Sequence, residues 1–257
     1  MKSHHHPLRV VTYNIHKCRG LDRRVRPDRI AGILKHIDAD IIALQEVLSI
    51  EGHEPEKNQL QFIAKALGFY FAFGETRRLK GGSYGNAVLS RFPIHVCRHY
   101  DISKPGCEPR GCLRTDIEVP GSIIHVFNVH FGTALLEHRQ QARRLFEEEI
   151  VNHREVQGAR IVLGDFNEWM RGIVSRTLKT HLQHADIRYH LKRSRTYPGV
   201  LPIFHLDHIY FDQGLKLENL HLYRSRPALV ASDHLPLVAE FRLIPKAKLL
   251  DPIASVG

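Results

Sequence analysis

Eight polar residues stand where polarity is costly. Asn14 ends the apolar run Val10-Val11-Thr12-Tyr13, Glu46 ends Ile41-Ile42-Ala43-Leu44-Gln45, and His130 ends Val126-Phe127-Asn128-Val129. Ile161-Val162-Leu163-Gly164 leads into Asp165 and Asn167, Asp207 interrupts an apolar run after Leu206, and Asp233-His234 immediately precedes the last one. A charge at the end of a buried strand costs several kcal/mol unless it is paired, hydrogen-bonded or bound to metal. Any one of these residues alone is an ordinary cap or a satisfied histidine. Together, one Glu, three Asp, two Asn and two His offer hard oxygen ligands for a divalent cation, with imidazoles to spare. Zinc is a poor fit: Cys107 and Cys112 have no second Cys/His pair at zinc-finger spacing, and no HExxH pattern occurs.

Such a set suits hydrolysis of a phosphoester. The substrate is anionic and repels nucleophiles, so catalysis is mostly positioning plus neutralisation of developing charge. A divalent cation polarises a phosphoryl oxygen. A carboxylate or a His–Asp pair takes the proton from water, worth ~10²–10⁴-fold. In-line attack places the nucleophile and the leaving group on opposite sides of phosphorus, which calls for two polar clusters.

The motifs resemble a known family. Tyr13-Asn14-Ile15-His16, Ile42-Ala43-Leu44-Gln45-Glu46-Val47, Gly85-Asn86-Ala87-Val88-Leu89-Ser90-Arg91, Asn128-Val129-His130-Phe131, Gly164-Asp165-Phe166-Asn167 and Ser232-Asp233-His234-Leu235-Pro236 look like the endonuclease/exonuclease/phosphatase superfamily, in the family's order and over residues 8–243. That superfamily includes pancreatic-type deoxyribonucleases, apurinic endonucleases, neutral sphingomyelinases and inositol-polyphosphate phosphatases. The resemblance implies that Glu46 is the main metal carboxylate, with Asn14 beside it and Asp233 at the metal's edge, the ion being Mg²⁺ or Mn²⁺. Asp165 and Asn167 would orient the attacking water and the scissile phosphate. His130 would stabilise charge on the phosphoryl oxygens, and Asp207 would pair with His234. Arg110 and Asn86 would bind substrate. Whether Asp165 or His234 is the base stays open.

The elements that position these residues are mixed in order. Pro27 stands at a helix first-turn position, with Ile30, Leu34 and Ile37 at helical spacing behind it. Asn58–Leu67 reads as a helix stopped by Gly68. Glu137–Val156 reads as the longest helix, and 173–182 as another. Strands are expected at 8–14, 41–47, 69–73, 86–90, 94–102, 113–119, 123–129, 161–163, 206–211, 217–223 and 237–243, several joined by hairpin-length turns such as Pro120-Gly121. This mixture excludes a purely parallel doubly wound sheet. It fits two mixed β-sheets packed face to face with helices outside, and the resemblance makes this a four-layer α/β sandwich. We expect one domain over 8–244, with a disordered segment at 1–7 and a loose tail at 245–257.

The composition bounds partners. The 257 residues carry 37 Lys and Arg against 27 Asp and Glu, a formal charge of +10, which favours polyanions. Basic groups at Arg19-Arg23-Arg24-Arg26, Arg77-Arg78-Lys80 and Lys192-Arg193-Arg195 are candidates to line a phosphate groove. Nucleic-acid phosphodiesters rank first as substrates, phospholipid or small phosphodiesters second, phosphomonoesters third. No apolar run approaches the ~20 residues of a membrane span. Four irregular cysteines and no apolar leader point to reduced thiols in a cytoplasmic protein, read as a monomer. Gly81-Gly82-Ser83-Tyr84-Gly85 matches a serine-nucleophile motif, but the serine precedes a strand rather than following one. A non-catalytic binding module would lack catalytic residues, yet every core motif is intact.

Overall fold

The computed structural model describes residues 7–50, 57–146, 150–168, 173–185 and 206–244. The expected N-terminal segment (apart from Pro7), the tail at 245–257 and the Lys192-Arg193-Arg195 group lie outside these residues.

The strands are β1 (Leu8–Asn14), β2 (Ile41–Ser49), β3 (Tyr70–Leu79), β4 (Gly82–Ser90), β5 (Ile94–Asp101), β6 (Gly111–Val119), β7 (Ser122–His130), β8 (Ala159–Asp165), β9 (Gln183–His184), β10 (Asp207–Phe211), β11 (Leu215–Leu222) and β12 (Leu237–Leu243). The helices are α1 (Pro27–Ile37), α2 (Gln59–Leu67), α3 (Leu135–Phe146), α4 (Ile173–His181) and α5 (Arg226–Ala231), with a 3-10 turn at His16–Cys18. Two six-stranded sheets form, in the orders β11-β12-β1-β2-β4-β3 and β5-β6-β7-β8-β10-β9. Each contains one parallel pair, β1 with β2 and β7 with β8, and is otherwise antiparallel. The parallel pairs face each other across the middle of the sandwich, α1 packs on α2 at one outer face, and α3 packs on α4 at the other.

Pattern explains position. β1, β2, β7 and β8 are nearly continuous buried runs, because a helix layer covers one face and the other sheet covers the second. Edge strands β5 and β11 show mixed exposure. In α1, Ile30, Ile33, Leu34 and Ile37 are buried on one face behind Pro27. Asn58 caps α2 by accepting from the Gln61 N–H, and Gly68 ends it at φ 70°.

Three expectations need correction. The third helix is described over Leu135–Phe146 and does not run to Val156: Ile150 and Val151 are in a turn and pack into the core that holds Leu145, and Asn152 donates to the Phe146 carbonyl. The segment Gly82–Gly85 is not a loop before a strand but the first half of β4, and Ser83 Oγ donates to Glu75 Oε2 at 2.6 Å. Ser83 therefore sits at the start of a strand, bound to a carboxylate and not at a strand-to-helix turn, which removes the serine-hydrolase alternative. Strand β9 and helix α5 were not anticipated. They are two and six residues long, too short for a periodic signal.

Candidate active site

The site forms where β1, β2, β7 and β8 end together. Asp165, the last residue of β8, lies beside His130 at the end of β7 and opposite Asp207 at the start of β10. Gly164 makes this possible: its φ is 146°, and a Cβ there would collide with the Val129 carbonyl oxygen. In β2 a register shift between Leu44 and Val47 puts Glu46 at φ 57°, which turns its carboxylate out of the strand. Asn167 also has positive φ, 47°. Both residues hold backbone conformations that side chains usually avoid, a strain typical of functional positions.

Asp165 is the hub. Its Oδ2 accepts from Asn14 Nδ2 at 2.9 Å and lies 3.5 Å from His234 Nε2 and 3.7 Å from His130 Nε2. Its Oδ1 accepts from the Asn167 N–H at 2.9 Å. Asn14 also donates to Glu46 Oε1 at 3.1 Å and so bridges the two carboxylates. His234 Nδ1 is 2.9 Å from Asp207 Oδ2, the expected pair. Arg110 Nη1 sits 3.5 Å from His130 Nδ1, while its Nη2 donates to Glu108 at 2.7 Å.

Two of the expected residues make other contacts. Asn86 is buried and its amide donates to the backbone carbonyls of Gly111 and Asn128, so this side chain ties the sheets together. Asn128 and Gln45 extend that tie, Gln45 Nε2 donating to Asn128 Oδ1 and Asn128 Nδ2 to the Leu44 and Ala87 carbonyls. Asp233 lies 3.6 Å from His16 Nδ1 and accepts from Ser232 Oγ, and its charge acts on the neighbouring His234 ring. One residue was missed: Lys17, whose Nζ is 2.5 Å from Glu46 Oε2. It follows the Asn14 motif, but nothing in its type distinguishes it from a surface lysine.

The electrostatics follow from burial and charge. Burial raises the Asp165 carboxyl, against the pull of His234 and His130. Burial alone would lower His234, but the Asp207 and Asp165 carboxylates overcome it and push the imidazole up to about 10. His130 goes the other way, down to about 4, through burial and the repulsion of Arg110. The Arg110 guanidinium then donates to Nδ1 of a neutral ring, whose Nε2–H faces Asp165. Burial opposes ionisation of Glu46, but the charges of His130 and Lys17 and the hydrogen bonds from Lys17 and Asn14 hold it well below the usual carboxylate range. With His130 neutral near pH 7, that work falls to Lys17 and Asn14.

The donor chemistry fits a hard divalent cation. Carboxylate oxygens of Asp165 and Asp207 lie within 4.8 Å of each other and of a His234 ring nitrogen, which holds its proton between them and is a hydrogen-bond donor there rather than a ligand. Glu46 is ionised beside Asn14, and among the described residues the lysine and histidine partners of Glu46, Asp165 and Asp207 include Lys17 and the His130 and His234 rings.

Comparison with known proteins agrees. The family model described as "Endonuclease/Exonuclease/phosphatase family" matches residues 11–234. The uncharacterized protein YbhP of Escherichia coli (strain K12) is 34% identical over 250 residues, covering 92% of this chain and 96% of that one. Among solved structures, the mannosyl-6-phosphatase Bt3783 of Bacteroides thetaiotaomicron VPI-5482 superposes with a TM-score of 0.73 at 19% identity, over 92% of this chain and 100% of that one. The human nocturnin catalytic domain, with a bound sulfate anion, gives a TM-score of 0.72 at 19% identity over 93% and 95%. These two likenesses establish the sandwich fold, and the sequence match carries the family. With the strand-end motifs, the two-sheet sandwich and the match over residues 11–234 in agreement, the chain belongs to the endonuclease/exonuclease/phosphatase family of phosphoric ester hydrolases, whose members generally use divalent metals.

Proposed function

We propose that the protein hydrolyses a phosphodiester by in-line attack of water, with Mg²⁺ or Mn²⁺ as its cofactor. The observation that supports this best is the convergence of Asn14, His130 and His234 on one oxygen of Asp165. Glu46 and Asn14 would hold the ion, with Asp233 at its edge. When bound, the ion supplies Lewis-acid stabilisation of charge on a phosphoryl oxygen.

The remaining work is done by side chains. Both ring nitrogens of His234 face carboxylates, so the ring is an imidazolium that donates on both sides. It therefore cannot be the base, and Asp165 takes the proton from water. Asp207 fixes the ring, and Asn167 fixes the Asp165 rotamer through its backbone N–H. His130, neutral, donates from Nε2 toward a phosphoryl oxygen, with Arg110 behind it. These donors are already aimed, so little reorganisation is needed as charge develops.

The substrate class depends on what surrounds the site. Nucleic acid was ranked first on net charge. Of the three basic groups behind that ranking, Arg77 and Arg78 are paired with Glu108 and Glu75, and the 192–195 group lies outside the described residues. The test is a panel of plasmid DNA, abasic DNA, RNA, phospholipid and bis-p-nitrophenyl phosphate, with Mg²⁺, Mn²⁺ or EDTA. We expect metal-dependent cleavage of at least the small diester, removed by EDTA and by Asp165→Asn. Full activity in a verified metal-free preparation would overturn the proposal.

A further inference from the structure

The loop between β1 and α1 projects beside the active site and is built rather than slack. Gly20 N–H bonds to the Arg24 carbonyl at 3.0 Å, Arg23 N–H to the Gly20 carbonyl at 2.8 Å, and Arg26 N–H to the Cys18 carbonyl at 2.8 Å. The loop is fastened to α5 by the Leu21 N–H, which donates to the Val230 carbonyl at 2.9 Å. A Cβ on Gly20 would sit 2.5 Å from that same carbonyl oxygen, so the close approach requires glycine. Helix α5 leads directly into Asp233 and His234.

What this ordered rim displays is amphiphilic. Leu21, Val25 and Val230 are 44%, 42% and 38% exposed. Around them, the guanidinium groups of Arg19, Arg23 and Arg24 make no hydrogen bond or ion pair among the described residues, and Asp22 is already taken by Arg29. Five other exposed arginines, Arg26, Arg78, Arg91, Arg98 and Arg242, do sit on carboxylates. From the second sheet, the loop after His130 leads to Leu135 and Leu136, 68% and 69% exposed at the start of α3. That loop is also fixed, since Gly132 N–H donates to Gln141 and Ala134 N–H to Glu137. Exposed apolar side chains thus follow site residues of both sheets, Asn14 on one and His130 on the other, and the first group also carries cations without an ion pair among the described residues.

A polyphosphate track would use the arginines and leave the leucines in water. An anionic bilayer uses both, through headgroup attraction and shallow apolar insertion. We propose that this rim docks the protein on an anionic phospholipid surface and so presents lipid phosphodiesters to the Asp165 centre. The docking stands on the rim itself, and only the presentation of substrate rests on the phosphodiesterase reading above.

The test is flotation of the full chain with vesicles of phosphatidylcholine alone or with about 30% phosphatidylglycerol, between roughly 50 and 200 mM salt. A short DNA duplex serves as the competing probe, and bis-p-nitrophenyl phosphate hydrolysis reports the chemistry. We expect binding to the anionic vesicles that weakens with salt. Arg19→Gln, Arg23→Gln and Arg24→Gln together should lower it about 100-fold, at roughly fivefold per basic residue. Leu21→Ser with Val25→Ser should lower it about tenfold or more. Both variants should keep the wild-type rate on the small diester. Two results overturn the proposal. One is no binding to anionic vesicles at low salt. The other is arginine-dependent duplex binding to which Leu21→Ser and Val25→Ser are silent, which makes the rim a nucleic-acid interface. Vesicle binding without hydrolysis of any diester would leave the docking intact and sink the phosphodiesterase reading instead.

Discussion

Two buried histidine–aspartate pairs, one spanning the sheets at the site and one within the second sheet, are balanced differently. At the site, His234 lies 2.9 Å from Asp207 and a second carboxylate, Asp165, stands 3.5 Å from the other ring nitrogen. On β6 and β7, His125 lies 2.7 Å from Asp116, whose two oxygens also accept from Arg114 Nε and Nη2 at 2.9 and 2.6 Å. Both pairs are almost fully shielded from water. The second is closed: the carboxylate has all the positive partners it needs. The first is open in a different sense: among the described residues two carboxylates, Asp207 and Asp165, share the one His234 ring. Burial of charge therefore does not mark the active site. Imbalance of buried charge does.

The largest expected effect tests that imbalance directly. Asp165→Asn keeps shape and removes one charge, so turnover on a small diester should fall ~10²–10⁴-fold. Its melting temperature should hold or rise, because burial already works against ionised Asp165. A variant that kept its turnover would mean that the open cluster is framework like the closed one.

Asp116→Ala should do the reverse. It strands the Arg114 guanidinium, 1% exposed, without its carboxylate. Breaking a buried pair this way costs ~3–5 kcal/mol of stability. At this size that is a fall of roughly 10 °C in melting temperature. Below that temperature the variant should turn over substrate at the wild-type rate. Loss of turnover without loss of stability would place Asp116 in the catalytic machinery after all.

A smaller effect separates a shared unit from neighbours. Asp207→Asn and His234→Gln should each slow turnover, and the double variant should be little worse than the poorer single one. The coupling between them should be ~0.5–3 kcal/mol, as for residues in one hydrogen-bonded network. Additive losses would show that the pair does not act as one.

The open pair was legible in the sequence and the closed one was not. Asp207 stood out because it breaks an apolar run whose neighbours are buried on both faces. Arg114 and Asp116 alternate with Leu113, Thr115 and Ile117, which reads as a half-exposed strand with charges facing water. That face is in fact covered, and periodicity alone does not reveal a layer laid over it. Likewise Asn86 carries a motif but serves the backbone of the opposite sheet, a contact that exists only once two sheets are stacked. Lys17 and the rim arginines are chemically identical to solvated charges. Only folding shows that Lys17 ends on Glu46 and that Arg23 meets no carboxylate among the described residues. The strands themselves were legible because central strands here are long apolar runs. The end of α3 was missed because Ile150 and Val151 continue its apolar face while leaving its geometry.

The smallest expected effect contrasts the two pairs by pH. His234 titrates at about 10 in the folded chain, above its ordinary 6.5. Between those values the folded chain keeps a proton that the unfolded chain releases. The pair's contribution is therefore complete below pH 6.5 and is lost as pH rises toward 10. Asp116 behaves oppositely. Burial opposes its charge, but the hydrogen bonds from His125 and Arg114 and their charges hold the carboxyl below its ordinary 3.8. Its contribution is complete above that value and is lost as pH falls below it. Urea unfolding in EDTA across roughly pH 3 to 10 should therefore show two separable limbs. His234→Gln should flatten the alkaline limb. Asp116→Asn should flatten the acid limb and leave the alkaline one alone. If His234→Gln altered only the acid side, the ring would be neutral in the folded protein. The proton from water would then have to go to His234, and Asp165 would lose its place as the base.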